Sequence, residues 1–175
     1  MAQIPRPRLG YLGPIENRVD LELLRKVLAG HRNWHFVSFG STNRLRMSNS
    51  HVVPWRKPSD LPQFLANLDL GFMPYDCSDD KNLHCVPLKL FDYFAMGLPV
   101  VSTPIVNLLK YQDLIYFGSD AEELGQGTMQ ALQEPSDSPK RRLRTEIAKI
   151  HSVDNLAPWL LNLLLEEGVQ FAHLR

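Results

Sequence analysis

The chain has 175 residues and a mass of 20.0 kDa, with 44% apolar and 22% charged residues. That size suits one domain with a short appendage, and that apolar content excludes a disordered chain. The formal net charge is zero, which argues against nucleic acid as a partner because such domains are ordinarily basic.

Arg8 to Gly13 reads as a short strand running into a Gly13-Pro14 turn. Leu21, Leu24 and Leu28, with Leu23 and Val27, have the spacing of an amphipathic helix, and Gly30 is its expected stop. His35 to Gly40 is the second strand, followed by a polar surface loop from Ser41 to Ser50 and a short third strand at His51 to Val53. Ser59 is placed to cap a helix whose apolar face is Leu61, Phe64, Leu65 and Leu68. Leu70 to Tyr75 is a buried strand, and Asp76 to His84 an acidic loop. Pro87 suits the first position of a helix ending at Met96, with Gly97 beyond it. Pro99 to Thr103 and Ile115 to Gly118 are further strands. Ser119 to Glu122 reads as a capping box for a helix to about Gln133; Ser138-Pro139 opens the next helix, and Ser152 one ending near Gly168. The run Lys140 to Arg144 is expected to be a solvated first turn.

Strands and helices alternate throughout. The expected fold is therefore α/β: a Rossmann-like parallel sheet with helices on both faces and a site beyond the strands' carboxyl ends. That places the site in the loops after Leu12, Phe39, Val53, Tyr75 and Thr103.

Several motifs are missing. There is no phosphate-binding loop ending in Gly-Lys-Ser/Thr, no Gly-x-Gly-x-x-Gly after the first strand and no Gly-x-Ser-x-Gly elbow. Asp76, Asp79 and Asp80 could suggest a cation site, but three acids in a polar loop read more simply as solvated, so no metal is expected. Cys77 and Cys85 lack metal-ligand spacing, which favours a reducing, cytoplasmic setting. The proline-bearing N-terminus has no apolar signal-peptide core, and no apolar run approaches the ~18 residues of a membrane helix.

The stretch from Asn82 to Thr103 is the most specific in the chain. A helix start there presents unpaired amides near Val86, Leu88 and Lys89, and such an end attracts anions. Lys89 in a first turn opposes the helix dipole, which suggests an anion to be held. Asp92, one turn on, has the chemistry to accept ribose hydroxyls. The plain alternative is a packed helix with an exposed Lys89–Asp92 pair, and spacing alone leaves both open.

Pro87-Leu88-Lys89-Leu90-Phe91-Asp92-Tyr93-Phe94-Ala95-Met96-Gly97-Leu98-Pro99-Val100-Val101 resembles the signature Pro-x-Lys-x-x-Glu-Tyr-x-Ala-x-Gly-x-Pro-Val-Val of group 1 glycosyltransferases with the GT-B fold. Leu12-Gly13, Asp69 to Pro74 and His151 to Asn155 resemble further pieces in the same order, so the likeness spans about residues 8 to 168. It implies a C-terminal, donor-binding domain over residues 8–168, preceded by a linker remnant (1–7) and followed by a tail (169–175).

The resemblance also implies roles. Lys89, Gly13 and the backbone of Val86, Pro87 and Leu88 would meet the diphosphate of a UDP-sugar or GDP-sugar, with Asp92 on the ribose. Trp55 and Arg56 would lie near the base, and Tyr75 would either line that pocket or belong to the core. Arg18 is the nearest replacement for a basic pair that relatives carry after the first glycine. His84 stands where relatives place an acid on the transferred sugar. It either faces an acidic donor sugar, such as a uronic acid, or is a loop histidine without a ligand.

No cofactor or metal is implied, and the catalytic base is expected in an acceptor-binding half or partner subunit outside this chain. The expected product is a cell-surface polysaccharide or lipid-linked glycan, with the full enzyme cytoplasmic or peripheral to the membrane's inner face. A non-catalytic nucleotide-sugar-binding subunit is the alternative.

Overall fold

The computed structural model describes residues 1, 3–15, 18–40, 45–54 and 57–166. Among them, six parallel strands form one sheet: β1 (Arg8–Leu12), β2 (His35–Phe39), β3 (Ser50–Val53), β4 (Leu70–Met73), β5 (Val100–Ser102) and β6 (Ile115–Phe117). Their order is β3-β2-β1-β4-β5-β6. β1 and β4 are buried along their whole length, as central strands covered on both faces must be.

The register sorts the helices. Gly10, Gly71 and Val100 pair across neighbouring strands and so share a face. On that face lie α2 (Leu61–Leu65), whose following Leu68 packs on Gly10, and α4 (Lys89–Ala95), whose Tyr93 packs on Gly71. α6 (Pro139–Ile150) backs α4, with Arg141 against Gly97. The opposite face carries α1 (Leu21–Gly30) and α5 (Ala121–Leu132), with Gly127 against Tyr116 and Val101. The remaining helices are α3 (Asp80–Leu83) and α7 (Val153–Glu166).

Six local expectations change. Gly30 is the last residue of α1, and His31 caps it. Ser59 lies inside a short 3-10 turn, Pro58–Asp60, instead of capping α2. The loop from Asp76 to His84 contains α3, because Asp79 Oδ1 accepts from Lys81 N–H at 2.9 Å and nucleates a turn. α4 starts at Lys89, two residues after Pro87.

The capping box of α5 is shifted by one. Asp120 Oδ1 accepts from Glu123 N–H at 2.9 Å, and the Glu123 carboxylate accepts from Ser119 N–H at 2.7 Å. The basic run of α6 is not wholly solvated: Arg144 is completely buried and paired with Glu134. Ser138 caps α6 as expected, through Lys140 N–H.

Candidate functional site

The sheet opens at its carboxyl edge between β1 and β4. Their pairing covers Leu9–Leu70 and Gly10–Gly71 and goes no further. Beyond it the Tyr93 hydroxyl accepts from Leu12 N–H and donates to the Gly10 carbonyl, both at 3.0 Å. Buried peptide groups need partners, and Tyr93 supplies them where the strands part. Gly71 makes room for it, since a Cβ there would sit 2.5 Å from the Tyr93 ring. The strand order reverses at this same point, which in open α/β sheets is where ligands bind.

Two loops border the opening. Gly13 holds φ at +95°, and its N–H donates to the Phe39 carbonyl at 2.9 Å. The segment before α1 is tied to the end of β4: Val19 bridges Tyr75, Asp20 N–H donates to the Pro74 carbonyl at 2.9 Å, and Asp76 N–H donates to the Arg18 carbonyl at 2.8 Å. The Thr103 hydroxyl donates to the Tyr75 carbonyl and accepts from its N–H, both at 3.0 Å. Arg18 and Tyr75 are thereby anchored side by side.

Between these loops lies a cleft of about 470 Å³, with Pro14, Arg18 and Tyr75 on one wall and Cys85 through Lys89 on the other. The Lys89 ammonium is 3.6 Å from the Tyr11 ring centroid and 5.5 Å from that of Tyr75. The Arg18 guanidinium lies 6.0 Å from the same Tyr75 ring, with Nη1 3.5 Å from Oδ1 of buried Asn82. Neither cation forms an ion pair among the described residues. Burial, and next the Arg18 charge, push Lys89 down to about 7, against a weaker upward pull from Cys85 and Asp92. Burial likewise pushes the Cys85 thiol and the Asp92 carboxyl up.

Arg18, Tyr75, Val86, Pro87, Leu88 and Lys89 thus meet around one cleft, and a Cβ on Gly13 would lie 3.9 Å from the Lys89 ammonium. The amides of Val86, Leu88 and Lys89 form no hydrogen bond among the described residues. α4 has seven residues, so its dipole is short, and charge at the cleft comes chiefly from the two side chains. Asp92 is half-buried one turn behind the cleft wall and makes no ion pair with Lys89, so the alternative of an exposed pair does not hold. His84 is exposed at the end of α3, outside the cleft walls, with its carbonyl accepting from Asn107 Nδ2. Trp55 and Arg56 lie outside the described residues.

Tyr11 and Asn82 were not legible as site residues. Tyr11 alternates inward on β1 like any core residue, and only the fold brings Lys89 over its ring. Its hydroxyl is buried without a hydrogen-bond partner among the described residues. Asp76 accepts from Ser78 N–H at 3.0 Å and from the Ser78 hydroxyl at 2.6 Å. Among the described residues no group of three or more His, Cys, Asp or Glu gathers as a metal-ligand set, and no helix is long and apolar enough to cross a membrane.

A family model described as "Glycosyl transferases group 1" matches residues 6–134, well over half of the chain. "Putative teichuronic acid biosynthesis glycosyltransferase TuaH" of Bacillus subtilis (strain 168) is 33% identical over 116 residues, covering 59% of this chain and 28% of the relative. Sucrose-phosphate synthase from Thermosynechococcus elongatus superposes with a TM-score of 0.66 at 14% identity, over 95% of this chain and 47% of that one. Anabaena HepE in complex with UDP-glucose gives 0.66 at 12% identity, over 91% and 49%. The catalytic domain of cholesterol-alpha-glucosyltransferase from Helicobacter pylori gives 0.62 at 11% identity, over 84% of this chain and 100% of that one. At these identities the structural likeness is one of fold. The chain spans 28% of the curated relative's length and about half of the synthase and HepE chains. With the family match running from the start of the sheet through β6 and across the cleft, the chain belongs to the group 1 glycosyltransferases.

Proposed function

We propose that residues 8–168 form the donor-binding part of an enzyme that transfers a sugar from a nucleoside-diphosphate sugar. One observation carries this reading: Arg18 and Lys89 converge on a single cleft at the strand-order reversal, with no carboxylate paired to either among the described residues. Two unpaired like charges in a partly dry cleft repel, and a diphosphate relieves both at once. The free amides of Val86 and Leu88 add donors, and Gly13 leaves room for close approach. Asp92 would accept the ribose hydroxyls, and Tyr75 would flank the nucleotide. Trp55 and Arg56 would border the base.

The HepE structure contains UDP-glucose, which supports uridine as the nucleoside. The name of the Bacillus relative, with its teichuronic acid biosynthesis, supports the reading of a cell-surface polysaccharide as the product. The remaining length of the relatives would supply the acceptor wall and the catalytic base, joined through residues 1–7 or held as a partner subunit. Transfer requires both substrates in register with water excluded, so this chain binds donor but transfers poorly without that half. The complete enzyme would act in the cytoplasm, at the membrane's inner face.

Calorimetry with UDP, GDP and ADP tests the assignment. UDP should bind, and Lys89→Ala should weaken it at least tenfold, matching the ~1.5–3 kcal/mol of a hydrogen bond to a charged group. A folded sample that binds none of the three refutes it and favours a non-catalytic interaction module. If His84 faces an acidic donor sugar, His84→Glu should reduce the affinity for UDP-glucuronate relative to UDP-glucose, and an unchanged ratio rejects that role.

A further inference from the structure

Among the described residues, five side chains surround the Lys89 ammonium. Tyr11 comes from β1, Tyr75 from the end of β4, Arg18 from the segment before α1, Cys85 from the stretch after α3, and Asp92 from α4 itself. Burial pushes both phenols and the thiol up, so these three are neutral at neutral pH. Asp92 is the one acid among these described residues, half-buried and beyond ion-pair distance. The ammonium therefore rests on two rings beside another cation. The cation–π contacts, each worth ~0.5–2 kcal/mol, favour the charged form, while lost hydration and the Arg18 charge oppose it. Tyr11 packs tilted against Phe36 and Tyr75, with centroids 6.3 Å from each.

We propose that Tyr11 is a positioning residue that keeps Lys89 part-buried on two aromatic rings beside Arg18, so that the cleft takes up its diphosphate together with one proton from solvent, bound at Lys89 Nζ. The inference rests on the diphosphate assignment above. The one covalent change is an N–H bond, formed as the amine's lone pair accepts a solvent proton; no electron is transferred and no group leaves. The burial and the Arg18 charge that push Lys89 down to about 7 leave it partly neutral when the cleft is empty, and a bound dianion favours the ammonium again. The complex then holds more protons than the free protein, so affinity falls as pH rises above that value. The loss is up to about tenfold per pH unit. A lysine with ordinary titration stays charged across this range and shows no such loss.

Calorimetry with UDP in buffers of different ionisation enthalpy measures the proton count. At pH 8 the terminal phosphate, which titrates near ~6, is fully ionised and does not interfere. Most of one proton per UDP should be taken up at pH 8, and less at pH 7. Lys89→Arg, which does not titrate, should bind UDP with no uptake. Arg18→Gln removes the like charge and should lower uptake at pH 8. Tyr11→Ala admits water and should lower it too, whereas Tyr11→Phe should retain it; circular dichroism checks the fold, and Arg18→Gln stands if Tyr11→Ala does not fold.

UDP binding with buffer-independent heat at pH 8 overturns the proton uptake while leaving the diphosphate assignment intact. Equal uptake in Lys89→Arg places the proton elsewhere and overturns it as well. Loss of all UDP binding overturns the assignment beneath it. Competitive acetylation of Lys89 in the free protein reads the amine directly, and a midpoint in the ordinary lysine range also overturns the proposal.

Discussion

Glu134→Gln is the sharpest test of how the scaffold behind the cleft is held. Arg144 is fully buried and Glu134 nearly so, with side-chain exposures of 0% and 4%. The guanidinium donates to both Glu134 oxygens, at 2.6 and 2.8 Å, and to the Leu114 carbonyl, at 2.9 and 3.1 Å. The Tyr116 hydroxyl donates to Glu134 Oε2 at 3.0 Å. Glutamine keeps the shape but leaves a buried guanidinium without its counter-charge, which costs about 3–5 kcal/mol. That is a large share of the ~5–15 kcal/mol stability of a typical domain.

Removing both charges, as in Arg144→Met with Glu134→Leu, leaves only the Leu114 carbonyl and Tyr116 hydroxyl unpartnered. The double variant should therefore lose far less than the sum of the single variants. Urea unfolding at pH 7 measures all three, with the denaturant slope unchanged. Burial pushes the Glu134 carboxyl up, but the Arg144 hydrogen bonds and charge outweigh it and hold the group below its ordinary range. The contribution is present above the ordinary glutamate value and is lost as pH falls through the native one; the Gln variant should lack that acid limb. UDP affinity of the folded variant should not change, because the network lies outside the cleft walls. A loss under 1 kcal/mol for Glu134→Gln, or additive single effects, refutes the reasoning.

Tyr93→Phe removes the hydroxyl that serves Leu12 N–H and the Gly10 carbonyl and should cost about 1–3 kcal/mol in urea unfolding. Gly71→Ala drives a Cβ to 2.5 Å from the same ring and should cost at least as much; a neutral result for either would mean the strands close without Tyr93. Lys89→Met should stabilise the protein at pH 7. A base held at about 7 instead of 10.5 carries a cost that is full below the lower value and disappears through the upper one, so wild-type stability should climb over that interval while the Met variant stays flatter. The shift sets a ceiling of ~4–5 kcal/mol on the climb, and thermal unfolding across pH measures it.

Much of the fold could be read from local chemistry. Short apolar runs bounded by turn residues mark each strand of the sheet within a few residues, and Asp69 to Pro74 mark the buried β4. Ser138 announced the start of α6, and the Pro87–Thr103 pattern pointed to Lys89 and its neighbours. These signals act over one or two turns of backbone, where spacing, capping and turn chemistry are complete in the sequence. Other features depend on segments far apart in the chain. Arg144 reads as one more cation in a basic run, and its burial is decided by the Leu114 carbonyl and Glu134. Tyr11 reads as a core aromatic until α4 carries Lys89 onto its ring. Tyr93 reads as a helix residue until its hydroxyl replaces a missing rung between β1 and β4. Strand order, desolvation and the company a charge keeps are properties of the packed chain, because electrostatics and burial act through space and ignore distance along the sequence.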